Sequence, residues 1–153
     1  DTDPLLSRSQ TDLSITKRNP RFWAEQRVWL NRLHPDELAW HRNWNWKALE
    51  PGILAWLYCL FMEYDVRQWA ALKNNELQAV LAWVPSGGRA GTLWMAAKAD
   101  GAEPAIQFLL MTARQSFESR RALSFDYPAS EAVHAIESAG FAAQRTLIWM
   151  KAI

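Results

Sequence analysis

The stretch from Thr92 to Phe117, TLWMAAKADGAEPAIQFLLMTARQSF, constrains this chain more than any other. Thr92 to Ala97 is a short apolar run, opened by Gly91 and closed where Lys98-Ala99-Asp100-Gly101 brings charge and a flexible residue, which is the pattern of a buried strand. Ile106, Leu109, Leu110, Ala113 and Phe117 then recur at i, i+3, i+4, i+7 and i+11, so they form one apolar stripe on a helix, with Pro104 suited to its first turn. A buried strand that feeds an amphipathic helix needs a layered α/β fold to cover both. It also aims the helix's free N–H groups at the end of the strand, where an anion can be received, although most such junctions only connect.

The flanking sequence supplies the rest of a sheet. Leu13 to Lys17 alternates apolar and polar residues as a half-buried strand does. Asn19-Pro20 opens a helix carrying Phe22, Gln26, Trp29, Leu30 and Leu33, stopped by Pro35; His41 to Lys47 reads as an irregular loop. Ile53, Leu54, Leu57, Leu60 and Phe61 mark a second helix after Pro51-Gly52. Arg67 to Leu72, the turn-rich Lys73 to Glu76 and Leu77 to Val84 read as a hairpin leading through Pro85–Gly91 to the central strand. Gly87-Gly88 joins two strands and lacks the helix that a phosphate loop requires, so no chemistry is assigned to it.

Beyond the central helix, Ala122 to Asp126 is a strand expected to lie parallel to Thr92–Ala97, because a helix separates the two. Pro128 is expected to start a helix carrying Val133, Ile136 and Ala139, closed by Gly140, and Arg145 to Met150 to end the sheet. The expected architecture is a mixed, mostly antiparallel sheet with one βαβ crossover, flanked by about four helices. Residues 1–12 read as a tail or linker and 13–153 as one domain.

Composition narrows the function. Seventeen Lys+Arg against sixteen Asp+Glu leave a formal charge of +1, which gives no field for nucleic acid or an acidic membrane. The single cysteine, Cys59, lies in an apolar run and reads as a core residue, and that run is too short to cross a bilayer; the expected location is the cytoplasm. His34, Glu37 and His41 lack a Cys partner or a His pair one turn apart, so no metal site is expected. Ten tryptophans, six of them between residues 23 and 56, serve either a core or a binding rim.

The element order, with Ala139-Gly140-Phe141 running into Arg145–Met150, resembles the GNAT superfamily of N-acetyltransferases across Leu13 to Ile153. That resemblance implies acetyl-CoA as co-substrate, held where the fourth and fifth strands splay apart, with its pyrophosphate on the N-terminus of the following helix. Carried onto this chain, it places the thioester against the backbone of Met95, Ala96 and Ala97 and the pyrophosphate against Gly101, Ala102, Ala105 and Ile106. The chain departs from the family pattern here: Pro104 has no N–H to donate, and Asp100 and Glu103 place negative charge near the helix dipole, with Lys98 and Arg114 as offsets. The family's usual Asn and Tyr fall at Ala129 and Ile136, so Tyr127 is the substitute proton donor; Glu37, His41 and Asp126 are the candidate bases.

Two readings follow. The first is an acyl-CoA-dependent N-acetyltransferase acting on a small-molecule or peptide amine, with Trp40, Trp44 and Trp46 suited to an apolar portion of the acceptor. The alternative is a non-catalytic GNAT-fold binding module, one half of a tandem protein. Either reading leaves room for a homodimer or a tandem-domain partner.

Overall fold

The computed structural model describes residues 12–17, 19–34, 50–53, 57, 60, 66–85, 90–117, 122–144 and 146. Its sheet has five strands in sequential order: β1 (Leu13–Lys17), β2 (Arg67–Lys73), β3 (Glu76–Pro85), β4 (Ala90–Ala97) and β5 (Ala122–Ser124). The first three pairings are antiparallel and the last is parallel, so the central strand has the neighbours on either side that the single crossover requires. The helices are α1 (Trp23–Leu33), preceded by a 3-10 turn at Pro20–Phe22, then α2 (Glu103–Ser116) and α3 (Val133–Ser138).

Each sheet face buries its own cluster. Ala79, Leu81, Leu93 and Met95 pack with Ile106, Leu109 and Leu110 of α2, while Val80, Ala82, Trp94 and Ala96 pack with Leu30 and Leu33 of α1. Strict alternation would put Leu77 with the first group. A bulge between Ala71 and Leu72 of β2 and their partners makes Gln78 the extra residue of β3, which turns Leu77 toward α1 instead. The β2–β3 turn is two residues, Asn74 and Asn75, with φ of 51° and 65°. Positive φ at both positions gives the twist a right-handed hairpin needs, and Asn tolerates it better than most residues.

Gly91 in β4 lets the indole of Trp83 cross the strand: a Cβ there would overlap Nε1 of that ring. Trp83 in turn stacks on Phe117 with centroids 4.7 Å apart, which ties the end of α2 to the sheet. Gln26 shares the buried face of α1, and its amide nitrogen is unbonded among the described residues. A buried donor without a partner costs about 1–3 kcal/mol. Gln26→Met, which keeps the volume and removes the donor, is therefore expected to raise the midpoint of thermal unfolding by about 2–12 °C. A calorimetric scan showing a lower midpoint would contradict this.

Two expectations about the C-terminal part are corrected. The fifth strand pairs only over Ala122–Ser124, not through Asp126, because Phe125 turns in toward Phe141, with ring centroids 5.2 Å apart. The last helix begins at Val133 and not at Pro128: Pro128 instead accepts the Glu131 N–H at 3.0 Å in a turn, and Ala132 at φ 51° breaks the helical path. The helix ends as expected. Gly140 sits at φ 82°, Gly140 N–H bonds the Glu137 carbonyl at 2.8 Å and Phe141 N–H bonds that of Ile136 at 3.2 Å, a Schellman closure. The expected helix around Ile53–Phe61, Cys59, the Gly87-Gly88 loop and the closing strand Arg145–Met150 fall largely or wholly outside the described residues.

Candidate functional site

The site begins where β4 loses β5. Among the described residues, parallel pairing runs through Ala90, Gly91 and Thr92 and then stops, while β4 continues to Ala97. Successive residues of a strand point their N–H and C=O groups to opposite edges. Lys98 N–H donates to the Gln78 carbonyl of β3 at 2.9 Å, so Ala97 and, two residues earlier, Met95 face the open side. Ala96, paired with Val80, faces β3. Of the three strand residues expected to meet a thioester, two present backbone donors to the gap and Ala96 does not.

Arg32 and Glu131 each interact with Tyr127 beside this gap. Arg32, near the end of α1, donates from Nη2 to the Ala97 carbonyl at 2.9 Å. The Ala97–Lys98 peptide is thus held at its oxygen from α1 and at its nitrogen from β3. Tyr127, following β5, packs against both core clusters and so lies in the seam between the two layers. Burial, reinforced by the Glu131 carboxylate and opposed by the Arg32 guanidinium, pushes the Tyr127 hydroxyl up to about 12. Glu131 and Asp126, on either side of Tyr127 in sequence, are exposed. The stability that Tyr127 contributes through this shift is full below its unfolded value of about 10 and is lost as pH rises through the folded one. Alkaline unfolding of Tyr127→Phe is accordingly expected to be less steep between those values, which circular dichroism against pH would measure.

Past Ala97 the chain turns at Gly101, φ 70°, into α2. The first helical bond is Ile106 N–H to the Ala102 carbonyl at 2.9 Å, and among the described residues no side chain caps the end. Ala105 and Ile106 are buried, while Gly101, Glu103 and Pro104 are exposed. A small cleft beside this end is lined by Gly101, Pro104 and Ala105 with Leu13, Lys73 and Gln78, so the hairpin brings the Lys73 cation to the helix start. Arg114 does not offset Glu103. It lies in the last turn of α2 and donates to the Ala139 carbonyl at 2.7 Å, at the end of α3.

Sequence reasoning missed Arg32, Lys73 and Glu131. Arg32 is 65 residues from its partner and Lys73 comes from the hairpin, so nothing in the local pattern links either to the site. Glu37 and His41, with Trp40, Trp44 and Trp46, lie outside the described residues. Among the described residues no group of three or more His, Cys, Asp or Glu could hold a metal, and no helix is long and apolar enough to cross a membrane.

No protein-family model matches this sequence, and no curated protein sequence matches it. Solved structures do match its backbone. The aminoglycoside acetyltransferase AAC(6')-Ib in complex with coenzyme A is 17% identical, with a TM-score of 0.52 over 88% of this chain and 87% of that one. The same enzyme with paromomycin and acetyl-CoA is 18% identical, with a TM-score of 0.50 over 89% of this chain and 86% of that one. The chain therefore has the GNAT fold.

Proposed function

We propose that this protein is an acetyl-CoA-dependent N-acetyltransferase acting on a small cationic amine. The observation that carries the reading is the open edge of β4, where the N–H groups of Met95 and Ala97 face a gap beside the uncapped start of α2. Acetyl-CoA would lie with its thioester in the gap and its pyrophosphate at Gly101–Ile106, near Lys73. The amine nitrogen, having first lost its ammonium proton to solvent, attacks the carbonyl carbon with its lone pair, an N–C bond forms, and the oxygen gains negative charge that the Ala97 N–H receives. The C–S bond then breaks, its electron pair leaves on sulfur, and the nitrogen loses a proton to solvent. The exposed carboxylates of Asp126 and Glu131, on either side of Tyr127 in sequence, favour a positively charged acceptor. The structural neighbours include AAC(6')-Ib complexes with paromomycin and with ribostamycin, which makes aminoglycosides the first acceptors to test.

Tyr127 is better suited to donating a hydrogen bond than to giving up its proton. Burial pushes its hydroxyl up to about 12, above a thiol's ~8.5, so transfer to the leaving thiolate runs uphill. The departing sulfur is left as thiolate.

Titration of acetyl-CoA by calorimetry tests the reading. Binding in the micromolar range supports it; silence at millimolar ligand supports a non-catalytic GNAT-fold module, which Glu103 and Pro104 in the first turn of α2 favour. Glu103→Gln removes the negative charge beside the pyrophosphate position and is expected to tighten CoA about two- to fivefold, the equivalent of about 0.3–1 kcal/mol at a helix N-terminus. Weakened binding would show that Glu103 holds the loop instead.

A further inference from the structure

We infer that Arg32 is a positioning residue of the acyl-transfer site that fixes a positive charge in the β4–β5 gap, where it stabilises coenzyme A as the thiolate. This inference rests on the acetyl-CoA reading and deepens it. Its geometric basis is the bond from Arg32 Nη2 to the Ala97 carbonyl, 2.9 Å, which approaches β4 from the open side. The carbonyl and the N–H of one strand residue point to the same edge, so the guanidinium is anchored beside the Ala97 donor. Because the Ala97–Lys98 peptide is also tied to Gln78, the anchor does not swing with the loop that follows.

Chemistry gives that charge a task. When the C–S bond breaks, the electron pair resides on sulfur, and Tyr127 holds its proton too tightly to neutralise it. A permanent cation serves where an acid does not, and Arg stays charged throughout the working pH range. Besides Arg32 from α1, the charged groups that follow the two strand ends in sequence are Lys98 and Asp100 after β4 and Asp126 and Glu131 after β5. Arg32 alone among them is bonded to the open edge itself among the described residues.

Binding of CoA and of desulfo-CoA, which lacks the thiol, tests this without an acceptor. A thiolate stabilised in the site has a bound pKa below its free value of about 8.5, so extra affinity appears as pH rises through the bound value and is complete above the free one. The parent protein is expected to bind CoA about tenfold more tightly at about pH 9.5 than at about pH 6.5, relative to desulfo-CoA, for a depression of about one unit. Arg32→Gln, which keeps a donor for the Ala97 carbonyl but no charge, is expected to reduce that ratio below about twofold, and Arg32→Lys to restore most of it. A merely structural role would weaken both ligands equally at every pH, and that result overturns the inference. So does a parent whose ratio is flat, or an Arg32→Gln variant whose ratio matches the parent; in both cases CoA binding itself still stands. If the parent binds neither ligand at millimolar concentration, the acetyl-CoA reading fails and takes this inference with it.

Discussion

Ala97→Pro is expected to cost about 10²–10³-fold in kcat for acetyl transfer while leaving the sheet folded. The reasoning is that this one nitrogen faces the gap and not β3: the bond that closes the β3 ladder here comes from Lys98 N–H, one residue on. Proline removes a ladder bond only where the replaced N–H makes one, and strand edges accept it for that reason. Its demand that the preceding residue stay extended is already met by Ala96 within β4. The loss should therefore fall on stabilisation of the oxyanion, seen as a lower kcat with far-UV circular dichroism retained. Ala96→Pro is the internal control. Ala96 N–H points into the ladder with Val80, so that variant is expected to unfold the central strand. If Ala97→Pro keeps full activity, the open edge is not where the thioester oxygen sits.

Gly91→Ala should be among the most destabilising single substitutions in the chain, at about 3 kcal/mol or more, and should lower the thermal midpoint by about 6–12 °C. Its Cβ would collide with Nε1, Cδ1 and Cε2 of Trp83, and that ring cannot retreat because Phe117 is stacked 4.7 Å from it. Pairing the substitution with Trp83→Phe removes the five-membered ring that makes the collision. The two changes share one contact, so their costs should not add, and the double variant should be closer to Trp83→Phe alone than to Gly91→Ala. Strict additivity in denaturant titrations would show that Gly91 matters for some other reason.

What the sequence made legible was whatever depends on neighbours along the chain. The apolar stripe of Ile106, Leu109, Leu110 and Ala113 gave α2, and all four residues are buried. The Asn-Asn pair between two apolar runs gave the hairpin, and the order of elements gave the parallel partner of β4. What stayed hidden was set by contacts across the fold. The shortness of β5 follows from Phe125 turning toward Phe141, and the late start of α3 from the left-handed backbone at Ala132, a conformation that alanine does not advertise. In the candidate site, the strand that carries Met95, Ala96 and Ala97 was readable from its apolar run, whereas which of its N–H groups face the gap needed the register with β3. Arg32 was not readable, since an arginine on the exposed face near the end of an amphipathic helix carries no local mark of the carbonyl it will meet.

The place of Tyr127 bears on how the molecule would register occupancy. Its ring belongs at once to the packing beneath α1 and to that beneath α2 and α3. The seam between the two layers is thus closed by a shared part and not by two separate walls. Whatever enters beside it presses on both layers together, so slowed amide exchange on binding should spread to helices on opposite sides of the sheet instead of stopping at the strands that hold the ligand.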